Sequence, residues 1–436
     1  MYKFIRIDKL QIYRKKILKF ELNYSKNISK YFSNNIMYVI YDKHIEDVNN
    51  SILYITAVSS LINCAWTIGA DIYVEELDKK YLDSLENVKS VFKRWYPKLP
   101  FSTKIHVDNI VSNSFNNERC GLLFSGGVDS TFSYLRHRNE MPILITILGA
   151  DIPIKKKKFW RDVKNRIEEY ASREGAEIRF IKTNIRQLLN EGLLKKEYWR
   201  YLRSFSWWGG FSHGIVQLSL CAPLSCVDQM GTIFIASTHW PDVKYIRWGS
   251  HPLIDNKVSW ANVKVVNDGY DFSRQEKIKY LSNYIKSSGS HPSLRVCSSQ
   301  FFDFNCSRCE KCLRTIVGLV LENIDPLECG FKLHENFFNR LRQNLVKGKL
   351  KLDDIGIVHW RSIQENIPEK LNHNLYNSKE FFNWLKNYKI QNHSRIGNIG
   401  THINLCLYHF YYRFPNKIQE LILKYKHDYY DHLRAR

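Results

Sequence analysis

The stretch 120–131 reads Cys-Gly-Leu-Leu-Phe-Ser-Gly-Gly-Val-Asp-Ser-Thr, and it constrains the fold more than any other part of the chain. Leu122, Leu123 and Phe124 form a short apolar run of the kind that makes a buried strand. Gly126 and Gly127 permit backbone angles that a Cβ resists, so the strand can turn sharply. Asp129 or Ser130 is then expected to cap a helix that begins near Thr131. Strand, tight turn and helix together present backbone N–H groups at a helix N-terminus, which suits phosphate or pyrophosphate. Ser125 and Ser130 add hydroxyl donors at the two ends of the turn, and Asp129 supplies a carboxylate suited to Mg2+. No lysine follows the glycines, so the order differs from the Lys-Ser or Lys-Thr loop of kinases and GTPases.

From about 118 the pattern alternates strand and helix. Strands are expected at 141–151, 177–184 and 232–238, with helices at 157–174 and from the 207–214 segment to about Val227. That order argues for a doubly wound α/β fold with a parallel sheet. Ligands of such sheets bind at the C-terminal strand ends, so Gly149 to Asp151, Thr183 and Asn184 are expected to share a crevice with the glycine turn. The loop 238–252 carries two Trp, two His and Arg247, and is expected to bind substrate. Asn267-Asp268-Gly269 is a turn in a hairpin-like connection before a helix carrying Arg274, Glu276 and Lys277. Residues 1–117 read as a small α/β domain without a catalytic motif, with strands at 37–41 and Ile72–Val74 and a helix over Tyr81–Phe92. Simple packing explains it first, with positioning of substrate or a homodimer surface as the alternatives. Residues 331–436 read as a helical extension that includes 404–414 and 418–425 around Pro415.

The chain has 436 residues, 44% of them hydrophobic, enough for sizeable cores. A formal charge of +22 favours polyanions such as ATP, pyrophosphate or nucleic acid. Solvated lysine spread over many surfaces explains that charge at least as well as a dedicated nucleic-acid site. The N-terminus lacks a secretory pattern, and a cytoplasmic location is expected. Ile52 to Ala70 is uncharged and long enough to consider as a membrane span, but Ser59, Ser60, Asn63 and Thr67 interrupt it, and a buried helix is expected.

Ten cysteines in such a chain point to metal or free thiols rather than disulfides. Cys297, Cys306, Cys309 and Cys312 stand as C-x8-C-x2-C-x2-C, a spacing that lets four thiolates close on one tetrahedral zinc ion. Four thiolates leave no open position for water, so the role is structural. Arg295, Arg308, Lys311 and Arg314 nearby are expected to favour thiolate. Cys64, Cys120, Cys221, Cys226, Cys329 and Cys406 lie mostly in apolar runs and are expected to be buried.

Ser125-Gly126-Gly127-Val128-Asp129-Ser130 resembles the PP-loop of the ATP pyrophosphatase superfamily. A PP-loop followed by this cysteine spacing is similar to one branch of it, the 7-cyano-7-deazaguanine synthases, over roughly 118–330. The resemblance implies an adenine nucleotide alpha hydrolase-like fold and cleavage of ATP between the α and β phosphates through an adenylated substrate. Ser125, Gly126, Gly127 and Ser130 would cradle pyrophosphate, with Val128 and Thr131 in the same binding stretch, and Asp129 would help hold Mg2+. The substrate implied is a small-molecule carboxylate on a 7-deazaguanine-type base, activated and then captured by ammonia or another amine. The chain departs from the compact synthases by about 115 residues before the loop and about 100 after the cysteines. Elaborated relatives occur in bacterial antiphage loci, where they are thought to attach the deazaguanine to a partner protein's amine, and the extra segments would suit docking of such a protein.

Within that reading Arg186 and Arg247 are the expected cations for charge developing on the phosphates. Trp207, Trp208 or Trp248 would stack on a planar base, and His213 would be the general base. Three rivals stand beside it: a tRNA-modifying PP-loop enzyme, a sugar amidotransferase of polysaccharide synthesis, and a nucleotide-binding regulator without turnover. A thiolase would want a cysteine pair near the loop, where only Cys120 lies close.

Overall fold

The computed structural model describes residues 2–202, 206–244, 247–297 and 304–391. The chain begins with β1 (Phe4–Tyr13), β2 (Ile17–Tyr24) and β3 (Ile36–Tyr41); burial alternates along β2 and β3 and over the first half of β1, where Ile5 and Ile7 face the core. Helix α1 (Asn50–Ile68), β4 (Asp71–Asp78), α2 (Lys79–Trp95) and β5 (Ile105–Val111) follow. Next come β6 (Arg119–Leu123), α3 (Val128–Arg136), β7 (Ile143–Leu148), α4 (Lys157–Glu174), β8 (Ile178–Thr183), α5 (Glu191–Leu202), α6 (His213–Ser219), α7 (Ala222–Val227) and β9 (Met230–Ala236). The described part ends with α8 (Pro252–Asp255), β10 (Ser259–Trp260), β11 (Val263–Asp268), α9 (Arg274–Ser288), α10 (Glu310–Leu321), α11 (Phe337–Val346), α12 (Asp354–Glu365) and α13 (Lys379–Asn387).

All eleven strands join one sheet in the order β10-β11-β9-β6-β7-β8-β3-β2-β1-β4-β5. Strands β11, β9, β6, β7 and β8 run parallel, as the strand and helix alternation requires. Strand β7 is buried at every position, the pattern of a strand covered on both faces. The sheet does not break at 117: β3 pairs antiparallel with β8, and one apolar cluster holds Ile7 and Leu61 together with Ile145 and Ile233. The first 117 residues therefore widen the sheet. Its two ends also meet, because Asp78 at the end of β4 accepts a 2.9 Å hydrogen bond from the backbone N–H of Ala261, next to β10.

Helix α1 is the axis of that wrap. Every residue from Ser51 to Ile68 is buried, Gly69 ends the helix at φ 67°, and Asn63 Nδ2 donates to the Phe211 carbonyl at 2.7 Å. Its uncharged sequence is explained by this core position. The helix expected to run unbroken to Val227 is in three pieces: a π-helical turn at Trp208–Ser212, then α6, then α7, which opens with Pro223 in its first turn. Asn267 and Asp268 are not a turn but the last two residues of β11, and Gly269 starts the connection to α9; the hairpin is β10–β11.

Helix α10 couples the sheet domain to the C-terminal helices. Cys312, Ile316 and Leu319 face the core under α3 and α4, while Leu313, Val317 and Val320 face α11, α12 and α13. The expected helices at 404–414 and 418–425, and Cys406, lie outside the described residues.

Candidate functional site

Strand β6 has β7 on one side and β9 on the other, so the strand order reverses beside it, and the crevice there is where open α/β sheets bind ligands. The glycine turn leaves β6 at that point. Helix α3 starts at Val128 with Gly127 as N-cap and no side-chain capping bond. Asp129 and Ser130 therefore do not cap the helix as expected. The helix begins earlier and both lie in its first turn, which leaves the first-turn N–H groups to a ligand. Ser130 Oγ folds back instead, lying 3.2 Å from Ser125 Oγ and 3.3 Å from both the Ser125 N–H and the Gly127 carbonyl. Gly126 needs φ 70°, and a Cβ on Gly127 would sit 3.1 Å from the Arg295 carbonyl. Val128 is buried and apolar and can contribute only backbone to a ligand, and the Thr131 side chain is also buried.

Asp129 does not fit a Mg2+ ligand here, because protein cations already hold both its oxygens. Arg274 Nη2 lies 3.1 Å from Oδ2 and Lys277 Nζ lies 3.4 Å from Oδ1. Burial works to raise the carboxyl, but Arg274 and Lys277 outweigh it and keep it below its usual range. Lys277 is 1% exposed, donates to the Ser237 carbonyl at 2.6 Å, and is pushed down by burial. Burial also lowers Arg314 to about 10. Lys311 and Arg314 were expected to serve the thiolates; the field of Asp129 reaches both, and Arg314 pairs with Glu310 at 3.1 Å. Arg274, Lys277 and Arg314 thus face Asp129 and Glu310 behind the loop, while Lys311 is exposed. Among the described residues Arg274 Nε and Arg314 Nε have no hydrogen-bond partner. A positive excess with orphaned guanidinium donors calls for an anion.

The crevice itself departs from expectation at several residues. Thr183 and Asn184 do not face it: Thr183 Oγ1 donates to the Tyr38 carbonyl, Asn184 Nδ2 donates to the Ile36 carbonyl, and Asn184 Oδ1 accepts from the Tyr38 N–H, each at 2.8 Å. Both side chains fasten β8 to β3. Gly149, at φ 105°, is required because a Cβ would meet the Thr183 carbonyl oxygen at 1.7 Å. Arg247 stacks on Tyr96 at 5.3 Å, and Arg186 is held bidentately by Glu191 while it covers Trp208 at 4.5 Å. Neither joins the cations behind the loop. Trp207 is core, 1% exposed against Phe211.

The remaining residues do converge. Asp151 is half exposed, accepts from Trp208 Nε1 at 2.9 Å, and lies 3.4 Å from His213 Nε2. Desolvation works to raise its carboxyl, but His213 and Trp208 prevail and hold it well below the usual carboxylate range. His213 sits between Trp208 and Trp248, with ring centroids 5.7 and 5.2 Å away, and its Nδ1 has no partner among the described residues. Gly209 lets Trp248 close in, since a Cβ would meet its ring at 2.5 Å. A π-helical turn, an oriented His–Asp pair and an indole beside it form a site able to move a proton next to a planar ligand.

The four cysteines meet as expected. Their sulfurs all lie within 4.8 Å of one another, and two pairs, Cys297–Cys309 and Cys306–Cys312, are 3.9 Å apart. A tetrahedron with Zn–S bonds of about 2.3 Å has S···S edges of about 3.8 Å. Hydrogen bonding among the thiols, from Cys297 foremost, draws Cys306 and Cys309 down, the latter to about 6. Zinc fits this donor set. Asn305 stitches the segment together, accepting from the Val296 and Cys297 N–H groups and donating to the Leu294 and Gly330 carbonyls. Two residues before Cys297, the Arg295 N–H donates to the Gly126 carbonyl at 2.7 Å and its Nε donates to the Ser125 carbonyl at 3.2 Å. The cysteine cluster therefore braces the glycine turn.

Comparison with family models, curated proteins and solved structures returned no significant match. Sequence reasoning missed Arg274, Lys277, Arg295 and Arg314 as parts of the loop's surroundings. The spacing of Arg274 and Lys277, three apart at a helix start, was the available signal.

Proposed function

We propose that this chain activates a carboxylate with ATP, forming AMP and pyrophosphate, and passes the activated acyl group to an amine. The observation that carries the reading is the pairing of first-turn helix N–H groups at Val128–Ser130, which no side chain caps, with an excess of positive charge whose buried guanidinium Nε atoms lack partners among the described residues. That arrangement suits a polyphosphate more than a monoanion. The carboxylate oxygen attacks the α phosphorus, the bond to the β-phosphate oxygen breaks, and pyrophosphate leaves onto the loop and its cations. The amine then attacks the acyl carbon and AMP departs. His213, whose Nε2 is held by Gln217 at 3.0 Å and Asp151 at 3.4 Å, takes the proton from the amine, and Trp248 offers a face for a planar base. The resemblance of the loop and cysteine spacing to the deazaguanine synthases supports a 7-deazaguanine-type carboxylate, with ammonia or a protein amine as acceptor. Mg2+ would bind through the phosphates and shield their charge.

The test is release of pyrophosphate and AMP from ATP with and without 7-carboxy-7-deazaguanine. Substrate-dependent release that is lost in Ser125→Ala supports the proposal. Absence of AMP with intact, zinc-loaded protein refutes the deazaguanine assignment, and failure to bind ATP or pyrophosphate refutes the adenylation reading altogether.

A further inference from the structure

The C-terminal helices reach the cations behind the loop. Helix α12 packs against α9 and α10 and carries His359, which is 2% exposed and 4.8 Å, centroid to centroid, from Trp240 of the loop after β9. Next in sequence, Trp360 Nε1 donates to Glu310 Oε1 at 3.2 Å, which fixes the register of α12 against α10. His239, the residue before Trp240, meets Trp248 edge-on at 5.8 Å. Among the described residues, His359 Nδ1, His239 Nδ1, Arg274 Nε and Arg314 Nε are all buried and have no hydrogen-bond partner. Four unsatisfied polar atoms from three helices and a loop are costly to keep in a protein interior unless a ligand satisfies them.

We propose that the helical module beyond the cysteine cluster is part of the polyanion site, with His359 and His239 joining Arg274 and Arg314 to hold the outer phosphate of the bound nucleotide. The inference rests on the reading that the glycine turn binds a polyphosphate, and it assigns the far end of that site to residues outside the loop. The groups that face His359 are Arg314 and Lys311 of α10, Arg274 of α9 and His239; those facing His239 include Asp129 of α3 and Lys277 of α9. Burial lowers both imidazoles, His239 to about 4, and the cations around them act in the same direction. Each is therefore a neutral ring with one N–H to donate at neutral pH. A phosphate placed between them and the two guanidinium groups would accept from all four.

The experiment uses the full, zinc-loaded chain and titrates inorganic pyrophosphate and AMP calorimetrically into wild type, His359→Leu, His359→Gln and Ser125→Ala. His359→Leu is expected to weaken pyrophosphate at least tenfold and AMP less than twofold, with His359→Gln, which keeps a donor, in between. If His359→Leu does not fold, a long-range 15N-histidine spectrum of the wild type gives the answer: the His359 Nδ1 signal moves with pyrophosphate and stays with AMP. Unchanged pyrophosphate affinity in folded His359→Leu, or an unmoved Nδ1 signal, overturns the proposal. If Ser125→Ala weakens pyrophosphate while both His359 variants match wild type, only this inference fails. If wild type binds neither pyrophosphate nor ATP, the adenylation reading falls and this inference falls with it.

Discussion

Asp129→Asn separates two roles for the carboxylate at the turn, metal ligand and counter-ion. At an effective dielectric of about 20, attraction over 3.1 Å to Arg274 and 3.4 Å to Lys277 is about 5 kcal/mol for each pair before desolvation. Most of that is offset by taking the ions out of water. The measurable quantity is the cost of leaving the cations without their partner, about 3–5 kcal/mol for a buried pair. With an unfolding entropy of about 2.1 cal/mol/K per residue, a chain of this size should lose roughly 3–6 °C in Tm. The sign for ligand binding is the opposite. Removing a negative charge from beside Arg274 and Lys277 should leave pyrophosphate affinity, measured in EDTA, equal to wild type or several-fold tighter. Saturating pyrophosphate should also recover much of the lost stability, since ligand at 100 times Kd adds about 2.7 kcal/mol. Differential scanning fluorimetry with calorimetry reads both. A variant as stable as wild type, or one whose metal-free pyrophosphate affinity falls tenfold, would refute the counter-ion argument and return Asp129 to a metal role.

Three further outcomes are expected. Purified protein should carry about one zinc per chain by elemental analysis; Cys309→Ser should lose it and weaken pyrophosphate, because Arg295 then no longer braces Gly126, and a zinc-free protein with unchanged affinity would sink the bracing role. Gly149→Ala should cost at least about 3 kcal/mol in chemical denaturation, since the new Cβ would collide with the Thr183 carbonyl. Asp255 is buried, accepts from Ser250 and Asn267 at 2.7 Å each, and is raised by burial to about 7. The folded state therefore keeps a proton the unfolded state has lost, and stability falls as pH rises from about 4 to about 7, by up to roughly 4 kcal/mol. Asp255→Asn should flatten that slope, and an unchanged pH profile would show that Asp255 is not its source.

Local pattern carried much of the fold. The apolar run at 122–124, the uncharged run of α1 and the periodicity of α4 appear where the sequence puts them, and cysteine spacing located the metal cluster, because each depends on neighbours within a turn or two. What the sequence hid depends on distant pairing. Thr183 and Asn184 looked like crevice residues because nothing local shows that β3, some 140 residues earlier, pairs beside them. Arg274 and Arg314 looked like a helix start and a companion of the cysteines; only the packing of α9 on α3 and of α10 on α9 brings them to Asp129. His359 gave no signal, since a single histidine on an apolar helix face most often belongs to the core.

The junction of β3 with β8 also governs how the chain can be made. When β3 leaves the ribosome its partner has not been synthesised, and roughly 140 further residues must follow. At about 5–20 residues per second this is roughly 7–28 s during which β3 offers an unpaired edge. The strand is only six residues long, which limits the surface on which another nascent chain could pair. The first 117 residues must therefore wait, partly assembled, for the parallel half of the sheet, and a truncated product ending between β5 and β8 would keep that edge open.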